Sequence, residues 1–144
     1  MSLRQLLWFA LCLFGSQVAL AQSSAAAPPV ALKGNDPVSY FNPGKPARGA
    51  PATYVDFDDT RYLFSSKRNR DLFASDPDKY SPQFSGLCAT GISMGAKATS
   101  DPNVFKVTDG KLYVFSSASA MEMAMKDPAV LKKSHEAWGK EHKK

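Results

Sequence analysis

Phe105-Lys106-Val107-Thr108-Asp109-Gly110-Lys111-Leu112-Tyr113-Val114-Phe115-Ser116-Ser117 contains most of what is needed to read the fold. Two runs rich in β-branched and aromatic residues flank Asp109-Gly110, the strongest short hairpin signal in the chain. Ser116-Ser117 then offers side-chain oxygens to cap a helix, which the pattern places over Ala118–Lys126. Asp127-Pro128 closes that helix, because proline disfavours a helical conformation in the residue before it.

The same plan occurs 51 residues earlier. Thr53–Phe57 and Arg61–Phe64 flank Asp58-Asp59-Thr60, Ser65-Ser66 follows, and Lys67–Ser75 reads as a helix ended by Asp76-Pro77. Asp58, Tyr62, Phe64, Ser65, Ser66, Asp76 and Pro77 recur as Asp109, Tyr113, Phe115, Ser116, Ser117, Asp127 and Pro128. Two copies are too few for a solenoid. The expected fold is therefore a single α+β domain. Two β-hairpins join in a small antiparallel sheet, short helices pack on it, and an amphipathic C-terminal helix over 129–144 docks through Trp138. The expected core comprises Tyr54, Phe57, Tyr62, Phe64, Leu72, Phe73, Tyr80, Phe105, Val107, Leu112, Tyr113, Phe115 and Trp138.

Outside the repeat, residues 1–21 read as a signal peptide. Arg4 precedes the apolar run Leu6–Phe14, and Ala19-Leu20-Ala21 fits a small-x-small cleavage site. Nine apolar residues are too few to span a bilayer comfortably. Residues 22–29 form a Ser/Ala/Pro-rich disordered lead-in, and 30–144 form one domain. Cleavage removes Cys12 and leaves Cys88 as the single cysteine, in an oxidising periplasmic or secreted compartment. One cysteine cannot form an internal disulfide, so Cys88 is a buried thiol, an intermolecular partner, a metal ligand or a redox group.

The whole chain has 18 Lys+Arg against 13 Asp+Glu, a net charge of +5. Five of these basic residues fall in Lys132–Lys144, together with His135 and His142. Such a run is ordinarily a solvated helix face, and it also offers a weak contact to an anionic membrane surface or an acidic partner. No basic patch interleaved with aromatics suggests nucleic acid.

The segments Tyr62-Leu63-Phe64-Ser65-Ser66, Asn69-Arg70-Asp71-x-Phe73, Pro77-x-x-Tyr80 and Gly86-x-Cys88-Ala89 together resemble the YHS-domain family. The likeness runs from about Ala31 to Trp138, including Leu32-Lys33-Gly34-x-Asp36-Pro37-Val38-Ser39-Tyr40-Phe41 and Asp109-Gly110-Lys111-Leu112-Tyr113. It implies an exported single-domain bacterial member. Relatives that accompany metal-transporting ATPases carry several cysteines, which links the family to heavy metals. Here Ser65 and Ser66 stand where those relatives tend to have cysteine, leaving Cys88 to that chemistry.

Cys88 lies in a stretch with Gly86, Gly91 and Gly95, where the backbone passes close to a neighbour. A thiolate suits copper(I) or zinc, and a thiol near a helix N-terminus is reactive; a small buried hydrophobe is the plainer reading. Met94, Met121 and Met125 offer soft thioethers, and His135 an imidazole, as tentative further ligands of a copper-like ion. No phosphate loop, nucleophile elbow or paired histidine-glutamate zinc motif is present, so an enzyme is not expected. The expected function is an exported, non-catalytic binding module handling a soft metal ion through Cys88, with a protein or metal ion as partner. A structural or protein-interaction domain with an inert Cys88, and a thiol-redox protein, are the alternatives.

Overall fold

The fold is known from a computed structural model that describes residues 26–142. The expected signal peptide, with Cys12, lies outside the described residues, as do residues 22–25 of the lead-in and residues 143–144. Among the described residues no helix is long and apolar enough to cross a membrane.

The elements follow the expected order. Strands β1 (Ala50–Phe57) and β2 (Thr60–Phe64) form the first hairpin, followed by helices α1 (Lys67–Ser75) and α2 (Pro77–Tyr80). A short helix α3 (Ala89–Ser93) leads to β3 (Asp101–Thr108) and β4 (Lys111–Phe115), then α4 (Ala118–Lys126) and α5 (Pro128–Glu141). Ser66 Oγ accepts from Asn69 N at 3.1 Å and Ser117 Oγ from Ala120 N at 3.2 Å, capping α1 and α4. Asp76 and Asp127 end one helix and cap the next, with proline at its first position.

The α+β class and the C-terminal helix are as expected, but the two hairpins do not join in one sheet. Each closes on itself as a two-stranded antiparallel sheet. The physical reason lies at the strand edges. Val30 bridges Arg61 of β2, while Pro82 and Cys88 bridge Leu112 and Val114 of β4, all in parallel sense. These loop segments occupy the backbone groups through which β2 and β4 would otherwise pair.

The repeat is deeper than the hairpin–helix plan. Paired residues and the register shift near the start of β1 recur in β3/β4 at an offset of 51: Tyr54 pairs Leu63, and Phe105 pairs Val114. Upstream, Leu32-Lys33-Gly34 and Phe84-Ser85-Gly86 form matching left-handed turns at an offset of 52. The offset changes within the next loop, since Asp36 N donates to Ala47 O and Cys88 N to Ala98 O. Most of the glycine-rich stretch around Cys88 therefore opens the second unit.

The two copies differ in what β2 and β4 pack against: Tyr62 and Phe64 of β2 join one core, and β4 contributes to two. Strand β4 is buried on both faces, so side-chain alternation sends Leu112 and Val114 into one core and Tyr113 and Phe115 into the other. The first core adds Tyr40, Tyr62, Phe64 and Phe73; the second adds Phe84, Cys88, Ala89, Ile92 and Ala124. Two expected core residues are surface residues: Tyr54 is 44% exposed and Leu72 37%. Tyr54 stacks under the Arg61 guanidinium, 4.0 Å from its ring centroid, and α1 turns only Phe73 inward. Phe57, Tyr80, Phe105, Val107 and Trp138 are partly buried against the cores.

The hairpin turns expose one sequence difference to experiment. Asp58, Asp59 and Asp109 all have positive φ, and only the second turn supplies glycine, Gly110, at its second position. Replacing Asp59 by glycine relieves a left-handed side-chain-bearing residue worth up to about 1 kcal/mol. Asp59→Gly should raise Tm by roughly 4 °C in thermal unfolding, whereas an unchanged or lowered Tm contradicts the turn geometry.

Candidate functional site

The repeat sets Asp36 and Cys88 at matching positions, each just after the left-handed turn and each preceding a short helix. Asp36 is fully buried. Its Oδ1 accepts from Val38 N at 2.9 Å; its Oδ2 accepts from Ser65 N at 2.9 Å, Ser65 Oγ at 2.6 Å and Asn69 Nδ2 at 2.7 Å. A carboxylate out of water is tolerable only with such a set of donors. Ser65-Ser66 thus divides its labour: Ser66 caps α1 and Ser65 ties β2 to the buried acid.

In the second copy the partner serine remains and the acid does not. Cys88 is 1% exposed, and its Sγ lies 3.4 Å from Ser116 Oγ, the residue matching Ser65. Ala120 stands where the first copy has Asn69. The apolar groups around Cys88 belong to the second core. Its α3 helix is held by hydroxyls instead: Thr90 Oγ1 donates to Ala120 O at 2.7 Å and Ser134 Oγ to Ala89 O at 2.8 Å. Gly91 permits the close turn, because a Cβ there would meet Ala96 O at 3.0 Å and Ala98 Cβ at 3.1 Å.

The five candidate ligands are spread over different environments. Cys88 is buried, Met94 at the end of α3 is 68% exposed, and Met121 packs against the second core. Met125 and His135 are brought together, lining one groove of about 430 Å³ between the β3–β4 turn and helices α4 and α5. Cys88, Met94 and Met121 do not line it. Among the described residues no three or more His, Cys, Asp or Glu side chains converge as a metal-binding group.

At the floor of this groove Tyr113 Oη and His135 Nε2 share a hydrogen bond of 2.8 Å. Tyr113 comes from β4, where alternation faces it away from the first core. His135 comes from the middle of α5, with Phe84 against its ring at 4.9 Å between centroids. Burial pushes the Tyr113 phenol up, with a smaller push from the Asp109 carboxylate. Burial pulls His135 below its ordinary 6.5, and the Lys111 ammonium adds to this. His142 lies elsewhere, stacked on Trp138 at 3.9 Å, in a second groove of about 370 Å³.

The two grooves are themselves related by the repeat. Asp58, Tyr62 and Ser81 line the one beside the first hairpin, and Asp109, Tyr113 and Lys132 line the other, at an offset of 51. The sequence marks Tyr113 only as a core residue and Lys132 only as part of the basic run, and it assigns Asp36 no role of its own. The signal was present in the repeat, but the change of offset from 51 to 52 concealed the match of Asp36 with Cys88.

Comparison with known proteins returns no matching family model, no matching characterised protein and no matching solved structure.

Two outcomes follow from this geometry. Asp36→Ala strands the donors of Ser65 and Asn69, while Cys88→Ala removes one weak contact and a small volume. Denaturant unfolding should give a loss of about 3 kcal/mol or more for the former and about 1 kcal/mol for the latter; equal losses would refute the unequal roles. For His135, the folded state favours the neutral ring, since its pKa lies below the unfolded value. Its contribution to stability is present above pH 6.5 and is lost as pH falls toward the folded pKa. An NMR titration should place the midpoint below 6.5 and move it upward in Lys111→Ala. A midpoint at or above 6.5 contradicts this environment.

Proposed function

We propose that this chain is an exported, non-catalytic binding module, of the type its YHS-like motifs suggest, with its ligand site in the Tyr113–His135 groove and Cys88 as an inert structural thiol. The observation that carries the reading is the position of Cys88. It occupies, in the second copy, the place that the buried Asp36 holds in the first, bonded to the matching serine. A residue so placed ties a loop to the end of a strand. The groove in turn contains a paired phenol and imidazole with a cationic rim and an apolar wall, a composition suited to binding small molecules.

Export is supported by Arg4, the Leu6–Phe14 run and the Ala19-Leu20-Ala21 site. The soft-metal reading loses Cys88 as its centre, because a thiol enclosed by apolar groups presents no face to an incoming ion. The basic face of α5, with Lys132, Lys133 and Lys140 exposed, remains available to an acidic partner or anionic surface.

A thiol reagent tests the assignment. In the native protein Cys88 should react at least ~100-fold more slowly than in denaturant, because reaction requires local opening. Copper(I) should be held equally by wild type and Cys88→Ala under a competing chelator. Rapid native labelling, or a loss of copper affinity on removing the thiol, would sink the inert-cysteine reading.

A further inference from the structure

The internal repeat supplies a comparison within one molecule, because the same scaffold builds two grooves and lines them differently. Each has the hairpin-turn aspartate, Asp58 or Asp109, and the β-strand tyrosine, Tyr62 or Tyr113. The first-half groove adds Asp78, and no lysine or arginine lines it. The second half has Ala129 at the matching sequence position, and its groove gains Lys111 and Lys132, where the first half has Thr60 and Ser81. One groove thus carries two carboxylates, and the other two ammonium groups against one carboxylate.

We infer that the Tyr113–His135 groove takes a small carboxylate with an apolar body, held between the Lys111 and Lys132 ammonium groups. The inference rests on the reading of this groove as the ligand site. The lysines set the sign of the ligand, since a cation would meet two like charges at the rim. Charge pairs this exposed contribute little individually, so the apolar wall of Met125, Pro128 and Leu131 must contribute through burial of the ligand's body. His135 reinforces the selection: its ring is held by Tyr113 and disfavoured as a cation by burial first and by Lys111 second, so an incoming anion makes protonation easier. The groove volume of about 430 Å³ lies in the range of small-molecule sites.

The test uses the full chain with 4-phenylbutyrate, and 4-phenylbutylamine as the cation of matching shape. The Met125 methyl and His135 ring resonances report on the groove, and the Met94 methyl reports on an exposed site outside it. The carboxylate should move the Met125 and His135 resonances saturably, leave Met94 unmoved and raise the His135 titration midpoint. The amine should bind at least tenfold more weakly, and the Lys111→Glu/Lys132→Glu double variant, with near-ultraviolet circular dichroism confirming its fold, should lose at least tenfold for the carboxylate. Equal binding of acid and amine overturns the ligand class while leaving the groove as a site. Unmoved Met125 and His135 resonances overturn both readings. Non-saturating shifts that include Met94 equally mean adventitious association only and also overturn the inference.

Discussion

A carboxylate removed from water must be surrounded by donors, and those of Asp36 come from three separate parts of the chain. Val38 lies in the turn after it, Ser65 at the end of β2 and Asn69 in the first turn of α1. Meeting all of them fixes the opening loop, the hairpin and the helix relative to one another. The left-handed Leu32-Lys33-Gly34 turn delivers the acid to this point, and the Asp36 N to Ala47 O bond of 2.8 Å pins the loop beyond it. The first half is therefore organised by a polar tie inside an aromatic core.

The second half keeps the architecture and changes the chemistry of the tie. Cys88 with Ser116 makes one long, weak contact where the first half makes four strong ones. What substitutes is packing and a longer terminal helix. α5 runs over 128–141, against only 77–80 for α2, and its buried Ser134 reaches the Ala89 carbonyl. That added length also supplies the imidazole and Lys132 of the Tyr113 groove, so the loss of the acid and the changed lining of the groove belong to the same divergence between copies.

β4 joins the two halves. Its unbroken run Leu112-Tyr113-Val114-Phe115 is explained by burial on both faces, one toward each core. Tyr40 adds a polar link from the first half, donating to Pro102 O at 2.9 Å and packing edge-on to Phe105 at 4.8 Å. The separation of the hairpins follows from the same arrangement, since the Pro82–Cys88 segment lies along β4 where another strand would have paired.

Local signals determined much of this protein. Asp109-Gly110, the capping serines Ser66 and Ser117 and the two Asp-Pro pairs act within four residues of themselves, so the turns, caps and helix ends were legible, and so was the repeat of 51. Burial was legible only in part: Leu72 and Phe73 are equally apolar neighbours, and only the rotation of α1 against Tyr62 and Phe64 decides that Phe73 goes inward. The candidate site was less legible still. Met125 and His135 are ten residues apart on different helices, and Lys111 lies on a strand, so their meeting around Tyr113 depends on how α5 folds back over β4. Cys88 shows the division most clearly. Cys88 is the one cysteine outside the apolar Leu6–Phe14 run, but whether such a thiol is a ligand or a filler depends on what surrounds it. Tertiary packing supplies those surroundings, enclosing Cys88 at the position where the first copy holds a buried aspartate, because side chains distant along the chain act on one another only when the fold makes them neighbours.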